Sequence, residues 1–163
     1  MLASLFSPPV NIHASAEQAQ KFRRFTSHLC PYSILYPIGW KVKSVSGRAG
    51  DTFADPHQPL RGTGVTCFNT HKTTLKRAAN DFHQQFKQVG FKVSDISYQN
   101  GRAVFTGTNP KLVIKHRVYK TSIEVVLTLH KRKLFLVSLQ DLTYGWRRDA
   151  KLFGRILGSL RLR

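Results

Sequence analysis

From Phe91 to Leu139 apolar and polar residues alternate almost without interruption. Period-two alternation belongs to strands with one face in a core, because successive side chains leave a strand on opposite sides. Asn100-Gly101 lies between two such segments, Lys92–Gln99 and Arg102–Thr108. An Asn-Gly pair in that setting is the strongest short hairpin signal, since a two-residue turn of the favoured hand needs positive φ at both centres. Three further strands follow, at Leu112–Tyr119, Ser122–His130 and Lys133–Leu139, with tight turns expected near Tyr119–Thr121 and Lys131–Arg132. The result is an antiparallel meander whose apolar face has to be covered.

Two helices are available to cover it. Leu75, Ala78, Ala79, Phe82, Phe86 and Val89 form one stripe at helical spacing, with Thr73 or Thr74 as N-cap and Gly90 as the stop. Near the C-terminus Trp146, Ala150, Phe153, Leu157 and Leu160 form a second stripe over Trp146–Leu160. Ahead of the meander, Ala16–His28 has the spacing of a short helix capped by Ser15, with Phe22 and Phe25 on one face. Tyr32–Lys43 reads as a hairpin turning at Pro37-Ile38-Gly39, with Trp40 as a lid on the core. Short strands are expected at Asp51–Pro56 and Val65–Asn69. The fold class is α+β, an antiparallel β-sheet with helices packed on it. Residues 1–30 form an N-terminal arm and residues 31–163 the domain; no internal repeat is present. Ala14-Ser15-Ala16 has the small-x-small form of a signal-peptidase site, and a targeting remnant and a disordered arm are both open readings of residues 1–20.

Charge restricts the function more than any motif does. The chain has 26 Lys+Arg against 8 Asp+Glu, a net +18, so its partner carries negative charge: nucleic acid, an anionic membrane or an acidic protein face. No apolar run reaches the roughly 20 residues a membrane-spanning helix requires. No Gly-x-Ser-x-Gly frame, paired carboxylates or phosphate-cradling glycine loop is visible, so the expectation is a protein without catalytic activity. Asp51, Asp55 and His57 are weak candidates for a metal, set against a plain turn and a solvated histidine. Cys30 and Cys67 stand in no metal-binding or redox motif; two reduced thiols are expected, a disulfide being the alternative.

The cations themselves are the best candidate site. Lys111, Lys115, Arg117 and Lys120 flank one stretch of the meander, Lys131, Arg132 and Lys133 make a turn, and Arg147, Arg148 and Arg155 lie on the last helix. Strand parity puts Lys115 and Arg117 on one face, away from Ile114 and Val118. Solvated faces normally mix both signs, and here acids are nearly absent, which favours a docking surface.

Four phrases in order resemble the PsbP family, the extrinsic lumenal proteins of photosystem II and their PsbP-like relatives. They are Tyr36-Pro-Ile-Gly-Trp40, Asp51-Thr-Phe-Ala-Asp55, the helix opening Thr73-Thr-Leu75, and Trp146 followed by Lys151-Leu-Phe153 and Gly158-Ser-Leu160. The resemblance runs from about Tyr32 to Leu162 and implies a PsbP/Mog1-like α/β/α sandwich. It also implies a non-enzymatic, membrane-peripheral subunit or assembly factor of a photosystem, most readily the oxygen-evolving complex of photosystem II. Its partners would be photosystem core proteins, met on an acidic lumenal face. The setting would be a chloroplast or cyanobacterial thylakoid lumen, and calcium association comes with the family. This chain departs from the family in being far more cationic. The other class of function is a nucleic-acid-binding protein of an organellar ribonucleoprotein, with the basic sheet on phosphate.

Overall fold

The computed structural model describes residues 20–58, 60–70 and 73–163. In chain order the elements are β1 (Phe22–Thr26), β2 (Tyr32–Pro37), β3 (Lys41–Val45), β4 (Gly50–Ala54), β5 (Gly62–Asn69), α1 (Leu75–Gln88), β6 (Lys92–Val93), β7 (Ser97–Gln99), β8 (Arg102–Ile114), β9 (Arg117–His130), β10 (Lys133–Leu142), α2 (Trp146–Gly158) and β11 (Arg161–Leu162). A large sheet has the order β3-β4-β5-β10-β9-β8-β6, with β7 also on β8, and a small sheet has the order β1-β2-β11. Every pairing is antiparallel. The α+β expectation holds: both sheets are antiparallel and both helices pack on them.

Parity along the central strands explains the layering. Ile123, Val125 and Leu127 of β9 and Leu134 of β10 face α1, where they meet Ala78 and Ala79. The intervening positions, Val126 on β9 and Phe135, Val137 and Leu139 on β10, face the other way. There they join Tyr32, Ile34 and Tyr36 of β2 and Phe153 and Ile156 of α2. With two apolar faces, the long strands of the large sheet have a separate cluster on each side.

Several local expectations stand. Thr74 caps α1, its hydroxyl accepting from the Arg77 amide at 3.2 Å. Asn100 and Gly101 both have positive φ and close the β7–β8 turn, and Trp40 is buried. Others are overturned. Phe22–Thr26 is a strand pairing with β2, not part of a helix, so residues expected to lie outside the domain are an edge of it. By parity Phe22 and Phe25 then lie on opposite faces: Phe22 carries the Arg155 guanidinium at 4.0 Å, while Phe25 meets the ring of Phe53. The expected Ser15 cap and the Ala14-Ser15-Ala16 phrase lie outside the described residues.

The Pro37–Trp40 turn does not close a hairpin. β2 pairs with β1 and β11, whereas β3 pairs with β4, so the turn carries the chain from the small sheet to the large one. The turn expected near Tyr119–Thr121 falls earlier, at Lys115-His116, because β8 runs on to Ile114 and β9 starts at Arg117. On α2 Ala150 faces solvent, and Asp149 occupies the inward position beside Phe153 and Ile156. Val89 is 64% exposed because the helix ends at Gln88, turning Val89 off the stripe.

The two sheets meet at a buried carboxylate. Asp51 of β4 accepts from Ser27 Oγ at 2.5 Å, Tyr32 Oη at 2.6 Å and Ser44 Oγ at 2.5 Å. Burial and the adjoining Asp51 carboxylate push the Tyr32 phenol well above its ordinary pKa, keeping it a donor. Beside this cluster a disulfide joins Cys30 to Cys67, against the expectation of free thiols; its Cα atoms are 6.0 Å apart. The bond ties the β1–β2 connection to β5.

Two stability measurements check this junction. Asp51→Ala strands the two buried hydroxyls of Ser27 and Tyr32 and frees that of Ser44, and is expected to cost about 3–5 kcal/mol in denaturant unfolding, against about 1 kcal/mol for Ser44→Ala. Reduction of a bridge spanning 37 positions is expected to cost about 4 kcal/mol by loop entropy.

Candidate docking surface

The cations named from sequence do not form one patch. β9 begins at Arg117 and ends at His130, so the Lys115-His116 turn and the Lys131-Arg132 turn lie at opposite ends of a 14-residue strand. At about 3.4 Å per residue they stand roughly 45 Å apart. At the first end Lys111, Lys115, Arg117 and Lys120 are all exposed. Lys115 and His116 are the turn itself, not members of an alternating strand face, so the expected parity of Lys115 with Arg117 is lost. At the second end Lys131 and Arg132 are exposed, while Lys133 is partly buried and donates to Asn69 Oδ1 at 2.7 Å.

The helical cations split as well. Arg147 faces solvent. Arg155 lies over Phe22, a cation–π contact inside the fold. Arg148 donates to Asp149 at 3.2 Å and to Gln58 at 3.4 Å. Two of the three arginines expected on a docking face thus help to hold α2 in place.

Arg148 belongs to a cluster that the sequence did not announce. Arg61, ahead of β5, bridges Asp55 at 3.2 Å and Asp149 at 2.5 Å. Asp141, near the end of β10, accepts from the Leu142 amide at 2.7 Å and is buried beside Asp149. Gly145 is required where it stands: a Cβ there would come within 2.7 Å of Asp141 Oδ2. Burial, reinforced by a hydrogen bond to the Asp149 carboxylate, raises the Asp141 pKa to about 6. Burial also opposes ionisation of Asp149, but the Arg148 and Asp141 hydrogen bonds and the Arg61 charge hold its pKa below the ordinary value. The pair therefore keeps one proton, on Asp141, in mild acid. Only the oddity of an inward Asp149 on an otherwise amphipathic helix could have signalled this.

The weak metal candidates do not converge. Asp51 accepts from three hydroxyls, those of Ser27 and Tyr32 in the core, whereas Asp55 pairs with Arg61 and accepts from the His57 amide at 2.9 Å. Among the described residues no group of three His, Cys, Asp or Glu side chains could hold an ion. A cleft of about 760 Å³ lies between α1 and the β5 side of the large sheet, lined by Ala49, Phe68, Phe82, Phe86, Val89 and Leu136 among others, none of them charged. No helix among the described residues is long and apolar enough to cross a membrane.

No protein-family model matches the sequence, and no curated protein matches it. Structures do. Cyanobacterial PsbP (CyanoP) from Synechocystis superposes with a TM-score of 0.60 at 18% identity, over 91% of this chain and 96% of that one. The fold is that of PsbP and Mog1p. The Ran-binding protein Mog1p of Saccharomyces cerevisiae gives a TM-score of 0.61 at 11% identity, over 88% of this chain and 96% of its own. A protein from Bacteroides thetaiotaomicron gives 0.53 at 14% identity, over 86% of this chain but 48% of that one. Likeness at these identities establishes the PsbP/Mog1 architecture and does not separate its two namesakes.

The carboxyl pair makes stability depend on pH with a definite sign. A raised Asp141 pKa contributes stability in full below about pH 4 that is lost as pH rises through about 6. The depressed Asp149 pKa works in reverse, its contribution being lost in acid. Asp141→Asn is expected to remove the decline between about pH 4 and 6.5 and to raise stability at pH 7 by on the order of 2 kcal/mol. Urea titrations across that range check both.

Proposed function

We propose that this chain is a non-enzymatic scaffold, an extrinsic subunit or assembly factor of a photosystem that works peripherally in the thylakoid lumen. Photosystem II and its oxygen-evolving complex come first, in a chloroplast or a cyanobacterium. The reading is supported by one conjunction: four PsbP-like phrases in order along the chain, and a PsbP-type fold over nine-tenths of it. Those phrases also fall at structurally demanding places. Tyr36 and Trp40 are core residues on either side of the crossing between sheets, Asp51 is the carboxylate that joins the sheets, and the tilted rings of Trp146 and Phe153 lie 5.3 Å apart.

The same frame in Mog1p serves a protein that binds Ran, which agrees with a body made for protein contacts. Docking proceeds through separate cationic ends rather than one face, so the chain bridges two acidic surfaces or lies along one. Lys and Arg at the ends set orientation and association rate more than affinity. Calcium belongs to this reading as an association of the family, with no ligand set assigned on this chain.

Native protein is expected to co-purify with thylakoid membranes, to be released by high salt, and to carry photosystem core subunits in affinity purification with mass spectrometry. Nuclease-sensitive sedimentation would instead select the organellar ribonucleoprotein.

A further inference from the structure

The β8–β9 hairpin outgrows the sheet that carries it. β10 stays paired with β9 only as far as Leu142 opposite Thr121, and β6 meets β8 no further out than Lys92 opposite Thr108. Beyond a bulge between Asn109 and Leu112, the segments Leu112–Ile114 and Arg117–Tyr119 pair, among the described residues, only with each other. Val113 and Val118 are directly opposed there, so both side chains leave the same face of the ribbon. They are 63% and 65% exposed, and Ile114 is 36% exposed. Lys111, Lys115, Arg117 and Lys120 surround them, and no acid occurs between Asp95 and Glu124.

The turn adds a second sign, one it shares with the Lys131-Arg132 turn at the far end, where φ is 46° and 62°. Lys115 and His116 hold φ of 47° and 64°, the left-handed pair that favours Asn-Gly, which the same strand uses at Asn100-Gly101. A lysine and a histidine at the tip are a poor choice for the turn itself, and backbone strain of this kind concentrates where a side chain is needed for function.

We infer that this ribbon is a membrane-surface anchor, with Val113 and Val118 entering the headgroup boundary of an anionic bilayer and the flanking cations on lipid phosphates. Each paired segment spans three residues, roughly 10 Å, which matches the 5–10 Å depth of interfacial insertion. The small aliphatic tip fits a bilayer better than a protein, since a stable protein interface needs about 800 Å² per partner. It fits nucleic acid poorly, because valines offer no stacking face and Tyr119 lies on the opposite side, across from Leu112. The inference goes beyond the photosystem reading and is tested without a photosystem, so either can fail alone.

The test is co-sedimentation of the full chain with vesicles of phosphatidylcholine alone, or with about 30% phosphatidylglycerol. Wild type is expected to partition onto the anionic vesicles only and to be released by salt. Val113→Ser/Val118→Ser, whose exposed positions leave folding intact by circular dichroism, is expected to lower partition at least about tenfold. Lys115→Asn/His116→Gly is expected to raise the melting temperature while lowering partition about fivefold, the usual worth of one cation at such a surface. Lys131→Asn/Arg132→Gly, at the far end, is expected to raise the melting temperature too, with a smaller loss of partition than the ribbon variant. No binding to anionic vesicles, equal binding of the valine variant, or equal losses from the two turn variants overturns the anchor. So does single-stranded RNA displacing the vesicles while retaining full affinity for the valine variant.

Discussion

The fold depends on one carboxylate. Asp51 is buried where the small sheet crosses the large one, and its three hydroxyl donors come from the β1–β2 connection, from β2 and from β3. A buried charge is tolerable only when fully satisfied, so this site fixes how the layers meet more strictly than apolar packing does. Ser27 extends the lock by accepting from the Leu29 and Cys30 amides, both at 3.1 Å. Cys30 is in turn bonded to Cys67 on β5. The large sheet is therefore held to the small one by a polar cluster and a covalent bond at a single corner, and aliphatic and aromatic packing fills in around them.

Local signals in the sequence were readable where local chemistry decides the outcome. Asn100-Gly101 specifies its turn because few residues accept positive φ, and Thr74 specifies a helix start because its hydroxyl satisfies a free amide. Pairing partners are a different kind of information. Pro37–Trp40 has every residue a hairpin turn needs, yet nothing local records that β3 will pair with β4 instead of β2. Phe22 and Phe25 are three apart, which suits one face of a helix; in the strand they serve opposite sides because α2 and Phe53 happen to cover both. The Lys115-His116 turn was missed because its residues argue against it. Asp149 was missed because Arg61 comes from a distant part of the chain and Asp141 from the end of the strand before the helix, which no helical spacing links to it.

Burial of the acids also changes the charge of the surface. Of the eight acids, Asp51, Asp141 and Asp149 are buried and Asp55 is held in an ion pair with Arg61. Asp81 and Asp95 are the acids exposed among the described residues. The fold thus draws its acids inward, and the exposed surface is more one-sided than the bulk composition states.

Such a surface works against the folded state, since like charges repel more in a compact body than in an open chain. Internal acids offset part of that repulsion for Arg61 and Arg148, and Arg155 is placed on a ring. Among the described residues the cations at the two hairpin tips have no such neighbours: Lys115, Arg117, Lys131 and Arg132 are exposed at the two ends of β9, where they add nothing to the core. Stability therefore does not account for them. Under the proposed docking, opposite charge from outside would offset them, and the distance along β9 separates two places with different surroundings: an aliphatic pair accompanies the cations at one tip, and the apposed strand ends of β5 and β10 accompany them at the other.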